Sequence, residues 1–169
     1  MKLVLDSSAL IALARIGRLD LLRQVTSDVH IPEAVYEEVV QAGEGRCGSV
    51  EVAQAQWISR HHVRDQGAVL RFQARIGRGE AEAIVLAQEL HADVLILDDA
   101  VARRVAEAEG RSVVGLLGLL LHAKLHGLVG AVRPILDDMR TAGFFLDEPL
   151  YRSILNRAGE GPSQLPLEE

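Results

Sequence analysis

Acidic residues stand beside apolar runs at four places in this chain. They are Asp6 in Lys2–Ser8 (KLVLDSS), Glu37 and Glu38 after Pro32, Glu80 in Gly79–Ala83 (GEAEA), and Asp98 with Asp99 at the end of Val94–Asp99 (VLILDD). Carboxylates gathered in space hold a hard divalent cation: oxygen donors with no neighbouring His or Cys suit Mg²⁺ or Mn²⁺ and argue against zinc. A cation so held lowers the pKa of a bound water and neutralises developing negative charge. Without a cation the same carboxylates repel, so at least one pKa is expected to rise and the fold to be destabilised locally.

The elements that must bring these residues together alternate between strand and helix. Lys2–Leu5, Val29–Ile31, Val94–Leu97 and Ser112–Val114 read as short aliphatic strands, while Trp57–His61 is ambiguous. Helices are expected over Ala9–Ile16 with Ser7 or Ser8 as cap, Leu19–Val25, Pro32–Ala42, Ser49–Gln56, Gly67–Ile76 and Glu80–Leu90. Further helices follow over Ala100–Glu109, Leu116–His126, Val132–Ala142 and Pro149–Arg157. This alternation predicts an α/β fold with a mostly parallel sheet covered on both faces, a three-layer α/β/α arrangement. Asp6 and the 98–99 pair then fall at the carboxyl ends of two strands, where open α/β sheets gather ligands. On Pro32–Ala42 a 3.6-residue period places Glu33, Glu37 and Gln41 on a polar stripe and Glu38 on the apolar side with Val35 and Val39. An apolar-side carboxylate needs a cationic partner. In the next acidic helix Glu80 shares the small apolar stripe of Ala83, Ile84 and Ala87, and Glu82 points elsewhere.

Each acid has a plainer reading. Asp at a strand end often caps the following helix, an acid in a first helical turn is favoured by the helix dipole, and Asp99 can pair with Arg103 on the surface. Caps do not explain apolar-side acids, however, and the joint pattern favours a metal.

Composition sets the frame. The 169 residues, 49% of them hydrophobic, suffice for one domain, here residues 1–157, followed by a Gly, Pro, Ser and Glu-rich tail over 158–169. Aromatics make up only 4%, which disfavours an aromatic base-stacking platform. The single cysteine, Cys47, lies in the loop-like Gly43–Gly48 and forms no internal disulfide, so a reducing, cytoplasmic setting is expected. No secretion signal is visible, and the apolar segment 115–132 contains His122, Lys124 and His126, which excludes a bilayer span. A formal net charge of −6 means that nucleic acid must be held locally, by bound cations and arginines. Arg15, Arg18, Arg71, Arg75, Arg78, Arg103 and Arg104 flank the acids; Arg103 is singled out.

Asp6-Ser7-Ser8 before Ala9–Ala14, Pro32-x-x-Val35-x-x-Glu38, Gly79–Ala83, Asp98-Asp99-x-x-x-Arg103 and the Gly115–Gly127 segment (GLLGLLLHAKLHG) occur in an order that resembles the PIN-domain family. The resemblance covers roughly residues 1 to 130. It is strongest to toxin-type ribonucleases of toxin–antitoxin pairs and to a related, uncharacterised branch. It implies a three-layer nuclease that hydrolyses RNA phosphodiesters with Mg²⁺ or Mn²⁺, held by Asp6, Glu38, Glu80 and either Asp98 or Asp99. Ser7 and Arg103 are the expected substrate contacts, with RNA, an antitoxin protein and a second copy of the chain as partners. Two ions about 3.5–4 Å apart would stabilise both the attacking and the leaving oxygen.

Competing readings are weaker. A haloacid-dehalogenase-type phosphatase requires a second Asp where Ser8 stands, and a receiver domain gives Glu38 and Glu80 no role. A PIN-like module that binds RNA or protein without turnover is the main rival. The pairs His61-His62 and His122-x-x-x-His126 are discounted as metal sites, the latter because Ala123 stands where a metalloprotease has Glu, so that it reads as amphipathic helix surface; Gly43–Gly48 lacks the ending of a phosphate-binding loop. Leu10–Ala14 and Leu116–Leu121 suggest a homodimer, since a small monomer does not expose such runs.

Overall fold

The computed structural model describes residues 1–42, 45–46 and 48–161. Cys47, most of the Gly43–Gly48 connection's first half and positions 162–169 of the expected tail lie outside the described residues.

Five strands build one sheet: β1 (Lys2–Leu5), β2 (Asp28–Pro32), β3 (Ile58–His61), β4 (Val94–Ile96) and β5 (Val113–Val114), ordered β3-β2-β1-β4-β5. All four pairings are parallel, with Leu3 opposite Val29 on one side and Val94 on the other. The segment left ambiguous by its sequence is thus an edge strand. Among the described residues ten helices connect and cover the sheet: α1 (Ser7–Arg15), α2 (Leu21–Val25), α3 (Glu33–Tyr36), α4 (Ser49–Gln54) and α5 (Gln66–Gln73), then α6 (Arg78–Glu89), α7 (Ala100–Ala108), α8 (Leu116–Leu125), α9 (Arg133–Thr141) and α10 (Glu148–Arg157). Helix α3 continues into a π-helical segment, Glu37–Gln41.

The pleat of β1 divides the core. Leu3 and Leu5 point to one face, with Val29, Ile31 and the apolar sides of α1, α8, α9 and α10. Val4 points to the other, with Leu95, Leu97 and residues of α5, α6 and α7. Apolar runs without alternation are what a parallel strand covered on both sides requires. Three layers follow.

The chain runs from β1 outward to β2 and β3, then returns to place β4 on the opposite side of β1. The winding therefore reverses at β1, and the helices leaving β1 and β4 diverge there to open a crevice at the carboxyl ends of those strands. Asp6 and Asp98 stand at that reversal.

Two expectations change at the surface. Leu10, Leu13, Leu116, Leu119, Leu120 and Leu121 are all buried within the single chain, so the two leucine-rich runs supply no self-association surface. The expected tail also begins later than residue 158. Ala158 is buried, and the Glu160 carboxylate accepts from the backbone N–H groups of Val132 (2.6 Å) and Arg133 (2.9 Å). Lys124 Nζ lies 3.4 Å from the same carboxylate. Glu160 thus satisfies donors at the start of α9 that the helix itself leaves open. A chain ending at Arg157 is expected to be about 2 kcal/mol less stable than one ending at Gly161, measured by urea unfolding. No helix among the described residues is long and apolar enough to cross a membrane.

Candidate active site

Asp6 follows the last residue of β1 and is 1% exposed. Asp6, rather than Ser7 or Ser8, is the N-cap of α1: its Oδ1 accepts from the Ala9 N–H at 3.2 Å. Its Oδ2 is buried without a hydrogen-bond partner among the described residues. Burial pushes the Asp6 carboxyl up to about 7, the Ala9 N–H opposes that shift, and the nearby charges of Asp98 and Glu80 add to it. An ionised carboxylate with one unpaired buried oxygen is costly unless a cation offsets it.

Asp98 follows β4, whose Ile96 carbonyl accepts from the Asp6 N–H at 3.2 Å, and its charge adds to the upward shift of the Asp6 carboxyl. Asp98 Oδ1 accepts from the Leu116 N–H at 2.8 Å, at the entrance to α8. Gly115 makes room for it, since a Cβ there would lie 2.9 Å from that oxygen and 3.4 Å from Arg103 Nη1. Asp98 and Arg103 thus approach the same backbone position without forming an ion pair among the described residues. The pairing expected between Asp99 and Arg103 does not form; Asp99 turns outward and caps α7 through the Ala102 N–H at 2.8 Å. Both adjacent acids accept from the start of a helix, Asp98 at α8 and Asp99 at α7, and Asp98 is the one whose charge bears on Asp6.

Glu80 sits in the first turn of α6 and reaches back to the Gly77 N–H at 2.7 Å, one half of a capping box. It is close enough to raise the Asp6 carboxyl. Glu38 is placed differently from expectation: it is exposed, not on an apolar side. The cause is the π segment, where the Ala42 N–H donates to the Glu37 carbonyl at 2.9 Å. That wider turn breaks the 3.6-residue period on which the expectation rested. Val39 is buried there, while the Glu38 carboxylate lies against α6, with Oε2 only 2.9 Å from the position of a Gly79 Cβ. Gly79 is required by that approach.

A groove of about 550 Å³ results, bordered by Ser7, Ser8, Glu37, Glu38, Arg78 and Glu80. Ser7 thus shares the groove with Glu37, Glu38 and Glu80.

Glu82, expected to point away, is 3% exposed and buried between α3 and α6 behind the groove. Its Oε2 accepts from the Ala34 N–H at 3.2 Å, and its Oε1 accepts from Arg78 Nε at 2.9 Å. Arg78 Nη1 continues to Glu37 Oε2 at 3.0 Å, so Glu37 is paired rather than merely solvated. This relay ties the first turn of α3 and the π segment to α6. Arg78 and Glu82 stand one turn apart, a spacing visible in the sequence; the burial of Glu82 depends on α3 docking and is not.

A PIN-domain family model matches residues 2–160. The chain belongs to the PIN-domain family. No curated protein and no solved structure matches it. PIN domains have a nuclease-like fold, bind nucleic acid and generally use divalent metal ions, and the three-layer architecture of this PIN domain is that of its family.

Among the described residues of this PIN domain, no group of three or more His, Cys, Asp or Glu side chains is drawn together closely enough to cage a metal ion. The donors nevertheless suit one. Asp6 Oδ2 is an unpartnered buried oxygen, the neighbouring charges of Asp98 and Glu80 share its crevice, and the available atoms are hard oxygens. The histidines are elsewhere. His61 lies on β3 rather than a helix, its Nε2 is 2.9 Å from His30 Nδ1, and His30 Nε2 is bound to Asp28 at 2.6 Å. His122 and His126 stack on the surface of α8 with centroids 4.0 Å apart.

Proposed function

We propose that this PIN domain is a metal-dependent ribonuclease that hydrolyses RNA phosphodiester bonds at the crevice between β1 and β4. The observation that carries this reading is the buried Asp6 carboxylate, with one oxygen unpaired and its proton affinity raised beside Asp98 and Glu80. A stable fold retains such a group where it serves a ligand or a reaction. Asp6 would be the principal ligand, with Asp98 and Glu80 beside it and Glu38 at the groove's outer wall. Asp98 is favoured over Asp99 because its charge, and not that of Asp99, bears on Asp6. Mg²⁺ or Mn²⁺ bound there supplies an activated water and neutralises phosphate charge.

The chain's own residues do the rest. The Ser7 side chain and the Arg78 guanidinium border the groove where a phosphodiester would lie, and Arg78 is oriented by Glu82 and Glu37. Arg103, beside Asp98, is the second cation suited to a phosphate oxygen.

Labelled single-stranded RNA is expected to be cut in Mn²⁺ or Mg²⁺ and left intact in chelator, with Asp6→Asn at least about a hundredfold slower. RNA binding without turnover in every metal would favour the non-catalytic module.

A further inference from the structure

Helix α3 and its π extension separate two hollows. One is the acidic groove. The other, of about 400 Å³, lies against the edge strand β3 and is lined by Ile31, Tyr36, Val52, Gln56, Ile58 and Arg60. Its floor is fixed, because Ile31, Val52 and Ile58 belong to the hydrophobic core. One wall is the Tyr36 ring, over which the Arg60 guanidinium carbon lies 3.9 Å from the centroid. Glu33 Oε1, 4.0 Å from Arg60 Nη1, holds the guanidinium in place, and the Arg60 side chain is 46% exposed. Gln56 at the exposed rim offers an amide with two donors and one acceptor.

An apolar floor, a stacked ring and guanidinium, and a rim amide together match a flat group with two π faces and a hydrogen-bonding edge. Unpaired bases are recognised by stacking on aromatic rings and on arginine planes, with their edges read by polar side chains. Charge argues the same way. A chain of net charge −6 with an acidic groove cannot hold RNA by many phosphate contacts, so contacts to the bases must supply part of the affinity. We infer that this cavity is a nucleobase subsite, taking one unpaired base of a single-stranded RNA. That the neighbouring phosphodiester of the same strand reaches the acidic groove across α3 rests on the ribonuclease reading; the base pocket itself does not.

The test is a titration of ¹⁵N-labelled full-length protein, without metal, with AMP, GMP, CMP and UMP in turn, using ribose 5-phosphate as the base-free probe. At least one nucleotide is expected to give saturable shifts in the amides of Val52–Gln56 and Ile58–Arg60, and ribose 5-phosphate none. Arg60→Gln and Tyr36→Leu should each weaken the interaction about tenfold. Arg60 is half exposed, so its variant carries the test if Tyr36→Leu does not fold. Binding weaker than about 10 mM for all four nucleotides would overturn the inference. Equal shifts with ribose 5-phosphate, or unchanged affinity in Arg60→Gln, would also overturn it. No turnover is needed, so an inactive enzyme with an intact titration would remove the ribonuclease reading alone.

Discussion

At pH 8 and without metal, Asp6→Asn melts above the wild type by on the order of 10 °C. The Asp6 carboxyl titrates at about 7 in the folded chain against 3.8 for the free group. The folded state therefore holds a proton through that interval more tightly than the unfolded one does. For the metal-free wild type the contribution of this group is fully favourable below pH 3.8 and is lost as the pH rises through about 7. The loss is on the order of 4 kcal/mol at most, which for a chain of this size corresponds to the stated shift in melting temperature. Asparagine is neutral at every pH and retains an acceptor for the Ala9 N–H, so it keeps the cap without the buried charge. The gap should narrow as the pH is lowered towards 4. With Mn²⁺ at pH 8 the wild type should gain stability and Asp6→Asn should not. Differential scanning calorimetry across pH, with and without metal, checks all three points. Equal melting temperatures at pH 8 would show that Asp6 is solvated or paired in solution.

Glu82→Ala is expected to lower stability by about 2–3 kcal/mol. The main loss is the Ala34 N–H, which would be left buried without its acceptor. The Arg78 contact adds less, because that side chain is 55% exposed and returns to water easily. Glu82→Gln keeps an oxygen for Ala34 and should lose about 1 kcal/mol. Urea unfolding at pH 7 distinguishes the three proteins. A Glu82→Ala variant as stable as the wild type would mean that α3 holds its place against α6 by apolar contact alone.

What could be read from the residue string, and what could not, divides along physical lines. β1 and β4 were legible because strands covered on both faces appear as unbroken aliphatic runs, and their terminal acids stand out against them. β3 was not, because an edge strand with only Ile58 buried carries little of that signal. The family resemblance names Asp6, Glu38, Glu80 and the 98–99 pair as the site; in the fold the charges of Asp98 and Glu80 bear on Asp6, and Glu38 stands in the neighbouring groove. Which of the adjacent acids faces Asp6 was undecided, because counting along the chain does not say which one the next helix takes as its cap. Glu38 was placed on the wrong side because its expectation assumed regular helical turns, and the π segment is not regular. The burial of Glu82, which the helical period points away from the site, is not legible because it comes from a helix forty-odd positions away in sequence, with the Ala34 contact spanning 48 residues. The leucine runs were misread as sticky surface because apolar content alone does not reveal which neighbour covers it.

The order of the sheet also bears on how the chain reaches its native state. Leu3 pairs with Val29 locally but with Val94 only across most of the chain. Closing that long loop carries the larger entropic cost. Asp6 and Asp98 come together only through that long-range pairing. Their mutual repulsion therefore weighs on the contact between the two sides of the sheet, and not on the local pairing of β1 with β2.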